Sequence, residues 1–156
     1  MSSGLQPIHV FAALANTWRA NVHNGAFALT APDKTETSVR ALTVDIGAVE
    51  VVDNAAHEKA KVRLYCAVVG KAESKPCVIT LTGVACWRFL AVLRETCRGR
   101  TVGGRMALRV RIATVADTVD TEKHGHQNTT AVHADTVEIV PMSAAVEYAL
   151  STYGAR

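Results

Sequence analysis

Apolar and polar residues alternate along most of this chain in short runs, the period of strands with one face buried. "IHVFAAL" (8–14) and "TWRANV" (17–22) predict two strands separated by a short break. His23-Asn24-Gly25 predicts a tight turn, because Asn-Gly accepts the positive φ that a type I′ hairpin needs, and "AFALTA" (26–31) is its return strand. "RALTVDIGAVEVV" (40–52) is rich in β-branched residues, with Gly47 placed for a bulge. Polar "DNAAHEKA" turns the chain into "KVRLYCAVVG" (61–70), and "KAESKP" leads on to "CVITLTGV" (77–84).

Between 86 and 97 the period lengthens. Cys86, Phe89, Leu90, Leu93 and Cys97 fall at i, i+3, i+4, i+7 and i+11, one stripe of a helix that Gly99 is placed to end. Strand period resumes at Arg105: Met106, Leu108, Val110 and Ile112 point one way, and Arg105, Arg109 and Arg111 the other. "DTVDTEKHGHQNTT" (117–130) reads as a polar loop, and "AVHADTVEIV" (131–140) as the last strand, stopped by Pro141. A C-terminal helix follows with Ser143 as N-cap and Val146, Leu150 and Tyr153 on one face. That stripe either plugs the bottom of its own barrel or rests on a neighbouring subunit.

The 156 residues suit one domain, and 49 % apolar with 20 % charged residues is the composition of an ordered globular chain. Aromatics reach 5 %, which favours strands closing around a small core. A net charge of +3 is mild for a polyanion binder, so a case for nucleic acid must rest on where the charge sits. Cys66, Cys77, Cys86 and Cys97 form no C-x-x-C pair, which argues against a zinc site and for reduced thiols in the core of an intracellular protein. No metal or other cofactor is expected. No apolar stretch is long enough to span a bilayer. "MSSGLQPIHV" reads as neither a secretory signal nor an arginine-rich transit peptide.

Strands with one helix between the third and fourth main strands have the order of an OB-fold barrel. "IHVFAAL", "HNGAFALTA", "VITLTG", "GRMALRVRIATV" and "HQNTTAVHADTVEIVP" resemble, in that order, the strands and turn of the bacterial and mitochondrial single-stranded DNA-binding protein family. The resemblance implies an all-β barrel with one or two helices. It places an OB-fold domain over 1–142, an extended hairpin inserted at 32–76, and a C-terminal helix or tail at 143–156. Members of that family stack bases on exposed aromatics, but the matching positions here fall near Pro76, Thr82 and Asp117. Each lost platform is worth roughly 1–3 kcal/mol per base. The chain is more similar to the single-stranded-binding-like OB-fold proteins of the kinetoplastid RNA-editing complex. That branch carries an extended hairpin as a hub for protein contacts, and it implies a mitochondrial setting.

The candidate chemistry follows from these placements. Arg94, Arg98, Arg100, Arg105, Arg109 and Arg111 either face phosphate, whose oxygens their planar forks suit, or are solvated and salt-bridged, with Asp117, Asp120 and Glu122 as acidic partners. Trp18, Arg19 and Lys123 complete the nucleic-acid candidates, while Trp87 beside the helical stripe reads as buried. Val44, Ile46, Val62, Leu64 and Val68 make the hairpin more apolar than a solvated arm, so they are the expected protein interface. No G-x-S-x-G, H-E-x-x-H or P-loop is present, and no enzyme activity is expected. The expected function is a module that scaffolds an RNA-editing complex by contacts with other OB-fold or complex subunits, in a homo- or hetero-oligomer. Single-stranded RNA would bind weakly. The alternative is a genuine single-stranded DNA- or RNA-binding protein of replication or repair.

Overall fold

A computed structural model describes residues 16–23, 25–54, 59–82, 89–91, 93, 105–121 and 125–152; the side chains at 52–54, 59–60, 117–121, 126–129 and 135–136 lie outside that description. The alternating runs form eight strands: β1 (Trp18–His23), β2 (Ala26–Thr30), β3 (Glu36–Val39), β4 (Ala41–Asn54), β5 (Lys59–Val68), β6 (Lys75–Thr82), β7 (Met106–Thr121) and β8 (Gly125–Pro141). The helix α1 (Ala144–Leu150) follows, and residues 89–91 and 93 are helical between β6 and β7. The expected strand at 8–14 and the residues Cys86, Trp87, Cys97, Arg98, Arg100 and Lys123 lie outside the described residues.

The architecture is all-β and barrel-like. All eight strands belong to one sheet in the order β3-β2-β1-β6-β5-β4-β7-β8, and the sheet curls into a half-barrel. Its curl brings the β1–β2 turn back to β7, where Thr114 Oγ1 donates to the Gly25 carbonyl at 2.7 Å. Gly25 sits at φ 80°, the left-handed conformation expected of that turn. Ladders are antiparallel except between β1 and β6, which run parallel with Trp18 opposite Cys77 and Asn21 opposite Thr80.

Strands β4–β8, with helical residues between β6 and β7, have the strand order of an OB fold. This moves the boundaries expected from the resemblance. The segment 32–76 is not an insertion, because β4 and β5 are the middle of the sheet: β4 pairs β5 on one side and β7 on the other. The bulge expected at Gly47 lies between Ile46 and Ala48. Strands β1–β3 form a meander that fills the free edge of β6. The segment 117–130 is not a loop either. It forms the ends of β7 and β8, paired from Asp117–Thr129 out to Thr121–Gly125. The β4–β7 ladder ends at Ala113, so this part of β7 pairs with β8 beyond it.

The inner face of the sheet carries the core. Phe27, Val44, Val62, Leu64, Cys66, Cys77, Ile79, Leu81 and Ile112 are fully buried there, together with Phe89. Leu108, Val110 and Ile112 point inward as the alternation predicts. Cys66 and Cys77, register partners on β5 and β6, are free and buried. A second cluster lies on the outer face, where Ala67 and Ala107 meet Val146 of α1, with Ala145 and Leu150 packed alongside. Ser143 caps that helix: Val146 N–H donates to its Oγ at 3.3 Å. The apolar face of α1 therefore lies on the outside of its own chain's sheet. Tyr153 lies outside the described residues.

Candidate nucleic-acid interface

The arginine row of β7 does lie on the outer face, but its charge is largely matched within the chain. Asp45 is buried on β4 directly opposite Arg109. It accepts twice from that guanidinium, from Nε at 2.7 Å and from an Nη at 3.0 Å. This planar two-point contact is the geometry a phosphate would otherwise occupy. The carboxylate of Asp45, followed by that of Glu138, holds the Arg109 guanidinium above its ordinary pKa. Arg105 pairs with Glu147 of α1 at 3.2 Å. Arg111 is exposed on β7 with Asp135 as its register partner.

A third ion pair crosses β4 and β5. Arg63 lies 3.1 Å from Glu50, and the buried Tyr65 hydroxyl donates to the same carboxylate oxygen at 2.9 Å. Trp18 is half-buried at the start of β1, and the ammonium of Lys75 sits 4.5 Å from its ring centroid. Its face is occupied by a cation of its own chain rather than offered to a base. Among the described residues no phenylalanine, tyrosine or tryptophan ring is exposed: Phe27, Tyr65 and Phe89 are buried, and Trp18 and Tyr148 are half-buried.

The expected protein-interface residues belong to the core. Val44, Val62 and Leu64 are fully buried and Ile46 nearly so; Val68 is half-buried against the same cluster. They cannot form an apolar arm, because β4 and β5 are central strands whose inner side chains face their own barrel. Among the described residues the large apolar side chains that do reach solvent are Val49 and Val51 on β4 and Val115 on β7.

A concave site is formed by described residues, and Arg19 is in it. A groove of about 400 Å³ on the outer face is lined by Arg19, Asn21, Ala28, Thr30, Glu36, Thr80 and Thr82, with backbone of β1 between them. The ladders explain the assembly. Arg19 is opposite Thr30, and Thr30 is opposite Glu36; Asn21 is opposite Ala28 and, on the other side, Thr80. Two adjacent rows of outward side chains therefore run across four strands. The sequence predicts no strand at Glu36–Val39, and nothing local indicated that β6 would lie beside β1. No polar cluster of metal-ligand type occurs among the described residues, and among them no helix is long and apolar enough to cross a membrane. No protein-family model, curated protein or solved structure matches the chain.

Proposed function

We propose that this chain is a non-enzymatic OB-fold module that builds an RNA-processing assembly, of the RNA-editing kind, through protein–protein contacts, and holds single-stranded RNA weakly. The observation that carries this reading is the open sheet. Among the described residues β3 and β8 stand at its ends with a neighbour on one side only, and β8 is seventeen residues long. A free strand edge presents unbonded N–H and C=O groups and readily pairs with a strand of another chain. The partners are other OB-fold or complex subunits, identical or different, and the setting is intracellular, mitochondrial if the chain belongs with the editing proteins it resembles.

Weakness toward RNA is supported by the internal pairing of Arg109, Arg105 and Arg63 and by the lack of an exposed phenylalanine, tyrosine or tryptophan ring among the described residues. Contacts of this kind rest on phosphate, so the affinity falls steeply with salt.

Light scattering over a range of concentrations, with hydrogen exchange of the β8 amides, tests the assembly. The expected result is a mass above that of the monomer, with exchange in β8 slowing as the mass rises. Fluorescence anisotropy with labelled poly-U RNA and poly-dT DNA at two salt concentrations tests the rest. A monomer at every concentration that binds either strand at nanomolar affinity in high salt overturns the proposal in favour of a true single-strand binder of replication or repair.

A further inference from the structure

We infer that the outer groove of β1, β2, β3 and β6 seats one nucleotide, with Arg19 on its phosphate and Glu36 on a donor edge of its base. This deepens the RNA half of the reading above, and rests on it where a single strand is the source of that nucleotide.

The argument begins with charge. Among the described residues Arg63, Arg105 and Arg109 each have a carboxylate within 3.2 Å. Arg19 is exposed on a strand and makes no such pair there, although Glu36 lines the same groove. The two flank Thr30 in one row of the sheet. Their backbones stand two strand spacings apart, about 10 Å, so the groove holds separated charges of opposite sign. A ligand that complements it must carry an anion at one end and hydrogen-bond donors at the other.

The remaining lining narrows the class. Thr30, Thr80 and Thr82 offer hydroxyls, and Asn21 an amide, each able to donate and accept. An apolar ligand would bury these groups unpaired, at a cost for each. A polyanion without donors would meet Glu36 unfavourably, and a cationic peptide would meet Arg19. Thr30 stands between the two charged ends, and the small Ala28 lies in the neighbouring row, beside Asn21. The volume, about 400 Å³, falls in the range of small-ligand sites. A nucleotide has the required polarity: phosphate for the guanidinium, sugar hydroxyls for the threonines, and base N–H groups for the carboxylate. Guanine fits Glu36 best, because its N1–H and N2–H₂ lie side by side and one carboxylate can accept both.

The free nucleotide and a nucleotide within a single strand share this chemistry, and the experiment separates them. GMP, UMP and inorganic phosphate are titrated by calorimetry, and labelled G-containing and U-only RNA strands by anisotropy, against the intact chain and its Arg19→Ala, Glu36→Gln, Arg111→Ala and Lys71→Ala variants. Arg19 and Glu36 are exposed, so circular dichroism should be unchanged in both groove variants. Arg19→Ala is expected to weaken GMP binding about tenfold and to lower the salt slope of single-strand binding by about 0.7, the loss of one phosphate contact. Glu36→Gln is expected to erase the preference for G over U, and Lys71→Ala to change nothing. If RNA binds and only Arg111→Ala weakens it, the groove is overturned while the RNA reading stands. If GMP binds through Arg19 but neither strand binds, the groove stands with the free nucleotide as its ligand, and the RNA reading falls. If neither GMP nor either strand binds, both are overturned.

Discussion

Asp45 and Cys66 show what single residues carry in this sheet. Asp45 is 2 % exposed, and a carboxylate so placed is tolerable because Arg109 supplies two charge-assisted hydrogen bonds; removing one partner of a buried pair costs more than the pair contributes. The two residues are 64 positions apart, so no reading of local spacing could have joined them. Cys66 donates to the Cys77 carbonyl at 3.4 Å from the floor of the core. Hydrogen bonding with the Cys77 side chain, followed by burial, pushes its thiol pKa well above the ordinary 9.0. The folded chain thus keeps this proton at a pH where the unfolded chain has lost it. The stabilisation is complete below the unfolded value near 9.0 and drains away as pH rises from there toward the folded pKa. Urea unfolding at pH 8 and pH 10 should show a loss of stability, with a slope of at most about 1.4 kcal/mol per pH unit from this group. Cys66→Ala should start less stable but lose less over the same interval. Equal losses in the two proteins would mean that Cys66 does not govern the alkaline limb.

Elements were legible where their cause is local. The period of 2 in β5–β7, the turn at Gly25 before β2, the Ser143 cap of α1 and the inward Leu108, Val110 and Ile112 all follow from neighbours in sequence, and the structure has them, while Met106, expected with that set, is only half-buried. The seat of α1 was not legible, because it is assembled from three strands. Gly47, Ala67 and Ala107 leave the outer face flat where Val146 and Leu150 come down. A Cβ at position 47 would stand 2.5 Å from Val146 Cγ1 and 3.1 Å from Leu150 Cδ1. Gly47→Ala must therefore lift the helix or bend the bulge, and overpacking of this kind costs roughly 1–3 kcal/mol. Thermal unfolding should show the loss, and Gly47→Ala combined with Val146→Ala should recover part of it, since the second change removes the colliding methyl. A double variant less stable than the sum of the two single changes would show that the glycine is needed for its backbone and not for the space.

For the whole molecule, the missing information was strand order. Alternation indicates which side chains share a face but not which strands are neighbours. The OB-like order of β4–β8 and the parallel β1–β6 ladder are both long-range. That is why residues 32–76 read as an arm and why Val44, Ile46, Val62 and Leu64 read as an interface. The same topology makes the N-terminal meander more than an appendage. It contributes Ala20, Phe27 and Leu29 to the one inner core, covers the edge of β6, and builds three sides of the groove around Arg19. Burying a side chain as large as Phe27 or Leu29 is worth about 1.5–3 kcal/mol, so losing both is large beside a net domain stability of roughly 5–15 kcal/mol. A chain beginning at Arg40 keeps every strand of the OB-like order, but it exposes the inner faces of β5 and β6 and an unpaired β6 edge. Such an edge is a template for another chain. The shortened protein should melt well below the full-length one and form larger assemblies than it at equal concentration, as read by light scattering. It should also bind no GMP, having lost Arg19 and Glu36. A shortened chain that melts at the full-length temperature with no gain in mass would make the meander a separate attachment, and the fold would then be a five-stranded unit with a neighbour rather than one sheet of eight.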